Sequence, residues 1–264
     1  MLFASTNDDF MASLRNRMEE VNDRETKLPL VVLDSMLPRQ VLEFQCNNGL
    51  LMELIAECLK KETPFFGMLG VARLRTGQHF HLKSGVEVEI VKSEAVGKGV
   101  RLKLKAGRRF TVQGEIEDAG KGWTEARVLF LDSEDQEEEE VQGDDRMAVA
   151  RAIAKAKEFT SPNMNMEGKM SLVDRWVELA KNVEREPGQI DALLEQLGEI
   201  PPPEQPSERA FWVGALINPL PAMGVAMEIR PALLTAKTAE DRVQVAQEGI
   251  LRSIRHMDGS ARMF

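Results

Sequence analysis

Between Leu28 and Leu131 the apolar positions come in short runs or in strict alternation, and beyond Asp144 they recur at helical spacing. Leu28-Pro29-Leu30-Val31-Val32-Leu33 has the pattern of a buried strand. Pro38 separates it from a second extended piece, Val41-Leu42-Glu43-Phe44. Asn47 or Asn48 is placed to cap a helix running to about Lys61. Leu50, Leu51, Leu54, Ile55, Cys58 and Leu59 give that helix a broad apolar face, so Cys58 is expected toward the core. Thr63-Pro64 stops it. Phe65 to Leu74 reads as the next strand. Val86, Val88 and Ile90 then alternate with Glu87, Glu89 and Val91, and Val100, Leu102 and Leu104 with Arg101, Lys103 and Lys105. Gly97-Lys98-Gly99 between these two is a hairpin signal. Phe110 and Val112 continue the pattern, with Gly114 at its end. Ala119-Gly120-Lys121-Gly122 turns into a last strand, Trp123 to Leu131. Short strands at this spacing predict a barrel or a compact curled sheet.

The flanks read differently. Phe10, Leu14, Met18 and Val21 make one apolar stripe, predicting a short helix from Asn7 to Asn22. Asp132 to Glu140 is almost wholly acidic and is expected to be a solvated loop. Helices are then expected around Met147 to Ala154 and around Leu172 to Val183. Pro187 is placed in the first turn of a short helix containing Ile190, Leu193, Leu194 and Leu197. Pro201 to Pro206 is a stiff connector, after which Ser207 is expected to cap a helix through Ala210, Phe211, Trp212 and Leu216. Two more helices follow, one beginning near Met227 and one from about Thr238 to His256. No fixed-period repeat is present.

Composition narrows the functional classes. The chain has 264 residues, 43% of them hydrophobic, enough for a sizeable core. A net charge of -9 opposes nucleic acid as a first reading. Arg101, Lys103 and Lys105 make one basic strand face, for which ordinary solvation is the simpler account. The two cysteines, Cys46 and Cys58, fit neither a redox pair nor a zinc knuckle. No stretch approaches the roughly 20 apolar residues that span a bilayer. The first residues are of mixed charge, without a secretory apolar core.

Catalytic motifs are tested by spacing. Gly97-Lys98, Gly120-Lys121 and Gly168-Lys169 would each need a glycine five residues before the last one, and Ser or Thr after the lysine. Lys92, Glu115 and Asn163 stand at the first position and Gly99, Gly122 and Met170 at the second, so no P-loop exists. His79 and His81 share a strand face, but two imidazoles lack a third ligand. Glu137 stands where a calcium loop starting at Asp132 needs glycine. No G-x-S-x-G elbow occurs. Catalytic, cofactor and metal residues are therefore expected to be none. Large apolar groups near turns and element ends remain: Phe65, Phe66, Met68, Trp123, Phe211, Trp212, Met223 and Met227. They either fill the core or, in part, form an adaptable contact surface. Phe65, Phe66, Met68, Trp123 and Trp212 are the candidate contacts for a polypeptide.

Several of these segments resemble the N-terminal, substrate-binding domain of the Lon protease family. Leu28 to Leu33 resembles its opening "LPLxxL" strand, with Pro38 where the family has a proline. Phe66-Gly67-Met68-Leu69-Gly70-Val71-Ala72 is similar to the strand entering its "GT-A-I" element. Ala106-Gly107-Arg108-Arg109-Phe110-Thr111-Val112 resembles the "GxxRFxI" signature, and Trp123 to Asp132 the "ARVExL" partner strand. The resemblance covers about Leu28 to Met257. Gln45-Cys46-Asn47-Asn48 departs from the family's "FExR" helix start.

The resemblance implies an α+β fold: a PUA-like β-barrel or curled antiparallel-rich sheet followed by an α-helical bundle. The expected division is a helical leader at 1–26, a β subdomain at 27–135 and a helical subdomain at 136–264, with 27–258 as one unit. The resemblance implies no ATPase or peptidase part, and no catalytic residues carry over. The expected function is a non-catalytic module that binds unfolded or damaged polypeptide, or an adaptor to a separate ATP-dependent protease or chaperone. No cofactor, nucleic acid or membrane is expected. The expected setting is soluble and intracellular, in the cytoplasm or, after removal of a targeting segment, in a plastid or mitochondrion. The competing reading is a small-molecule-binding protein or hydrolase with a pocket in the β half. RNA binding is a third.

Overall fold

The computed structural model describes residues 25–60, 64–73, 76–131, 146–162 and 170–260. The expected helix at Asn7 to Asn22 and the acidic run Asp132 to Glu140 lie outside the described residues. The strands are β1 (Glu25–Val31), β2 (Val41–Cys46), β3 (Phe65–Arg73), β4 (His79–Val96), β5 (Gly99–Asp118) and β6 (Thr124–Leu131). Helix α1 (Gly49–Lys60) follows β2. After the sheet come α2 (Arg146–Lys157), α3 (Leu172–Val183), α4 (Gln189–Leu197), α5 (Pro206–Ile217), α6 (Arg230–Thr235) and α7 (Ala239–Met257). The fold is α+β.

The sheet runs β2-β5-β4-β3-β1-β6, and β6 pairs back onto β5. Five strands thus close a ring, with β2 attached to β5 at its side. All pairings are antiparallel except β1 with β3. β4 and β5 are longer than alternation alone predicts because bulges let a strand bend and continue. Val86 pairs with Arg109 and Val88 with Ala106, so Gly107 and Arg108 together face Glu87. A second irregularity in β5 falls between Gln113 and Glu117, where Gly114 has a φ of 73°. The hairpin at Gly97-Lys98 forms as expected, with Val96 opposite Gly99.

Closure of the ring depends on room for one ring system. Phe110 is fully buried inside the barrel with Leu28, Leu30, Leu69, Val112, Ala126, Val128 and Phe130. A Cβ on Gly85 would stand 2.3 Å from the Met68 carbonyl oxygen and 2.8 Å from Phe110 Cζ. A Cβ on Gly67 would stand 2.9 Å from the same atom. These two glycines are the space that the phenyl ring fills.

The opposite face of β3, β4 and β5 belongs to a larger core that runs on into α1 and the helical half. Cys58 packs there, as the apolar face of α1 predicts, and Cys46 is buried as well. The Asn48 side chain accepts from the Leu51 amide and caps α1. Among the helices, α5 is buried along its length except at Glu208. It packs on α7, whose Val243, Ala246, Ile250 and Ile254 form the expected stripe. Trp176 on α3 donates its indole N–H to Ser253 on α7 at 2.7 Å, and Ser253 donates on to the Val225 carbonyl.

Three helix starts differ from expectation. Pro206, not Ser207, opens α5, because proline lacks the N–H that a first-turn position leaves unpaired anyway. Ser207 lies inside the helix, where its hydroxyl accepts from buried Arg242 at 2.7 Å. Pro187 stands before the Gly188 cap of α4, outside the helix. Met227 precedes α6, which begins at Arg230 once Pro231 is accommodated in the first turn. Arg230 is itself buried between two elements, paired with Glu228 and, at 3.5 Å, with Asp34. Burial opposes its charge, but these carboxylates outweigh it and hold its pKa above the ordinary value.

Barrel and helices meet at the segment between β1 and β2. Met36 and Leu37 are fully buried there, and Leu37 lies against Gly214 of α5. Gln40, also buried, joins three elements at once. Its side-chain oxygen accepts from the Leu37 amide at 2.9 Å, and its side-chain nitrogen donates to the Asn218 carbonyl at 2.7 Å. Its own carbonyl accepts from Ala106 of β5 at 2.8 Å.

Two expected outcomes follow from this packing. Gln40→Ala leaves a buried N–H and a buried carbonyl without partners, and should cost about 2–4 kcal/mol in urea denaturation. Gly85→Ala forces a methyl against the Met68 carbonyl and should cost at least about 2 kcal/mol or prevent soluble expression. An unchanged unfolding midpoint in either variant would refute its contact.

Candidate functional site

A cleft opens where β2 and β6 separate along β5. β2 leaves β5 after the Val41–Lys105 pair and β6 joins it at the Leu131–Arg109 pair. Ala106, Gly107 and Arg108 form the floor between them. Pro38 and Arg39 make one wall, Leu131 another, and Glu208 from the first turn of α5 a third. The volume is about 460 Å³, within the ~300–1,000 Å³ typical of ligand sites.

Among the described residues, four cations line it: Arg39, Lys105, Arg108 and Arg109. The three arginines are positioned by local constraints. Arg39 has a φ of 73°, an uncommon left-handed conformation for a residue with a side chain. That conformation is held by hydrogen bonding of the Arg39 amide to the Ala106 carbonyl at 3.0 Å and by the Gln40 bonds beside it. Its guanidinium reaches the Leu197 carbonyl at 3.5 Å. The bulge opposite Glu87 separates the directions of the two adjacent arginines. Arg108 stays exposed, held by Glu87 through two hydrogen bonds of 3.1 Å and stacked 3.7 Å from the Phe130 ring centre. Arg109 turns inward, only 7% exposed, with its guanidinium 4.6 Å from the Phe211 ring centre. Stacking of this kind orients a guanidinium, which is planar through its own delocalisation.

The rest of the basic stripe has a different fate. Lys103 pairs with Glu43 at 2.8 Å, and Arg101 sits opposite Glu94 in the ladder. Lys105 alone of the three reaches the cleft. Behind the site, Arg209 donates to the Pro201 carbonyl at 2.6 Å and to Thr160; burial pushes its pKa below the ordinary value, with Glu204 opposing the shift.

Among the described residues the cleft lining offers no serine, threonine, cysteine or histidine, and a single carboxylate. The guanidinium and ammonium groups among these described residues are hydrogen-bond donors to carbonyl and carboxylate oxygens. His79 and His81 are exposed on β4, and among the described residues no cluster of three or more His, Cys, Asp or Glu could hold a metal. Among the described residues no helix is long and apolar enough to cross a membrane.

The apolar candidates are divided by strand alternation. Phe66 and Met68 face the large core and are fully buried, which removes them from any contact surface. Trp212 is buried too, its indole N–H bonded to the Gly198 carbonyl at 3.0 Å. Phe211 is buried under Arg109. Phe65, one residue out of phase with Phe66, is half-buried at the start of β3. Trp123 is half-buried at the β5–β6 turn, with Lys121 Nζ 5.8 Å from its ring. Met223 is half-buried, whereas Met227 is 68% exposed. Sequence reasoning did not single out Arg39 or Arg109 as site residues. Arg109 lies in the Gly107–Phe110 motif that carries the family resemblance; no periodicity or spacing marks Arg39.

The family model of the ATP-dependent protease La (LON) substrate-binding domain matches residues 27–250, both the sheet and most of the helical half. No curated protein matches the chain in sequence. Among solved structures, the chain is similar to a Lon N-terminal domain protein from Xanthomonas campestris, at 16% identity and a TM-score of 0.46. That match covers 84% of this chain and 98% of the other. It is also similar to the N-terminal domain of Mycobacterium avium complex Lon protease, at 15% identity and a TM-score of 0.49, covering 84% and 97%. With the family model spanning 27–250, the chain belongs to the Lon substrate-binding domain family.

Proposed function

We propose that this protein is a non-catalytic polypeptide-binding module, which recognises unfolded or damaged chains on behalf of a separate ATP-dependent protease. The observation that carries the reading is the family match across residues 27–250, the family being a substrate-binding domain. The cleft is compatible with it, because its guanidinium and ammonium groups can donate to peptide carbonyl oxygens. Exposed apolar side chains support it as well. Met227 is set on an irregular segment whose backbone carbonyl is held by Asn218, and Met147 and Phe80 are exposed on α2 and β4. Flexible thioethers adapt to varied partners at low cost, which suits a binder of non-native chains.

The test compares one client in two states. A reduced, carbamidomethylated protein and its native form are titrated against the full chain by fluorescence anisotropy. Preferential binding of the unfolded form is expected, with Met227→Glu weakening it by about fivefold, equivalent to roughly 1 kcal/mol. Equal affinity for native and unfolded client would remove the reading.

A further inference from the structure

We propose that the outer edge of β2 takes an extended segment of the client polypeptide as an added strand, one in which apolar and polar residues alternate. The proposal rests on the polypeptide-binding reading above and names the class of segment bound and the place that binds it.

The hydrogen-bond ladder carries it. β2 is the end strand of the sheet, and among the described residues it pairs with β5 alone. The Ala106 amide donates to the Gln40 carbonyl at 2.8 Å, so that carbonyl points to β5. Successive residues of an antiparallel strand direct their backbone groups to opposite sides. Leu42, Phe44 and Cys46 therefore bond to β5, and the N–H and C=O groups of Val41, Glu43 and Gln45 point away from it. The far end agrees: a Cβ on Gly99 of β5 would stand 2.5 Å from the Cys46 carbonyl oxygen, which places that carbonyl on the β5 side. Among the described residues no backbone group bonds to the outward side of Val41, Glu43 or Gln45. A row of unpaired donors and acceptors at strand spacing is complementary to another extended backbone.

The edge is also regular. Its register with β5 runs without a shift over six positions, and it contains no proline. Open edges are ordinarily blunted by bulges, prolines or charges. β4 beyond Ile90, where β3 no longer accompanies it, carries such devices: the register shifts between Ile90 and Lys92, and Lys92 pairs with Glu94 at 2.7 Å. The one charged side chain of β2, Glu43, is met by Lys103.

Side-chain alternation selects the guest. Leu42 and Phe44 are half-buried and pack against the larger core, whereas Glu43 and Gln45 are exposed on the other face. A guest strand continues both faces, so its apolar residues lie beside Leu42 and Phe44 and its polar ones beside Glu43 and Gln45. Native proteins keep the backbone of such segments paired within their own sheets, so it becomes available on unfolding.

The test follows amide hydrogen exchange by nuclear magnetic resonance on the full chain, with a short lysine-flanked peptide of alternating valine and threonine. In the free protein the amides of Val41, Glu43 and Gln45 should exchange fast and those of Leu42 and Phe44 slowly; the peptide should slow the first three by at least about tenfold. Two twins of the peptide carry N-methyl groups on every valine or on every threonine, which removes the donors of one edge or the other. One twin should lose about tenfold in affinity and the other stay within about twofold. Gln45→Pro removes an outward donor without touching the ladder and should weaken binding about tenfold, while Gln45→Ala keeps the donor and should stay within about twofold. The N-methyl twins decide the matter with the protein unaltered if Gln45→Pro does not fold.

Unchanged exchange at the three amides with peptide bound, or equal affinities of the two twins, would overturn the assignment. If the reduced, carbamidomethylated client still bound in that case, the polypeptide-binding reading would stand and the edge alone would be wrong. Failure of client and peptide alike would overturn both. Protection of the same amides that rises with protein concentration, without peptide, would replace the client segment with a second copy of this chain.

Discussion

The buried side chain of Gln40 is the joint on which the two halves depend. It ties the β1–β2 segment to itself at Leu37, to the end of α5 at Asn218 and, through its carbonyl, to β5 at Ala106. An amide with both ends committed in a dry environment tolerates little displacement, because each lost partner leaves a buried polar group unpaired. Asn218 extends the joint, bonding the Met227 carbonyl and the Ile229 amide. The segment bearing exposed Met227 and the loop bearing Arg39 are thus fastened to the same point.

The cleft is a consequence of how the barrel closes. The ring closes through β6 pairing with β5, and the sixth strand, β2, takes another stretch of the same edge, so β5 exchanges one neighbour for another along its length. The exchange leaves a short stretch, Ala106 to Arg108, between partners. A bulge at the same place lets adjacent arginines point apart, one stacked on a barrel residue and one on a helix residue. Phe110, next in the chain, anchors the motif inside the barrel in the space left by Gly67 and Gly85. The Gly107–Phe110 signature therefore combines closure, orientation of charge and core packing in four consecutive residues.

Much of the fold was legible because it rests on local periodicity. Alternation along Val86 to Leu104 placed two strands and their hairpin, and the stripes on α1, α3 and α7 placed those helices. Legibility failed where a distant partner decides. Ser207 has the chemistry of a cap, but Arg242 claims its hydroxyl and Pro206 takes the first turn. Phe66, Met68 and Trp212 are large groups near element ends, and only the sheet and helices packed over them make them core. In the candidate site, Lys105 was visible as part of a basic stripe, yet it could not be separated from Arg101 and Lys103. Lys103 is met by Glu43 of β2, and Arg101 and Lys105 stand opposite Glu94 and Glu89 of β4; only register at the end of β2 puts Lys105 at the cleft.

By itself the sequence determined the β-then-α order, the faces that are buried, the family signature and the lack of a P-loop or nucleophile elbow. These properties are written within a few residues, in period and spacing, and need no knowledge of the partner. Tertiary structure alone decided that β6 returns to β5, that Gln40 links barrel to bundle, and that Arg39 and Arg109 meet across one cleft. Each of those depends on register and closure between residues far apart in the chain, where a shift of one position reverses every side chain.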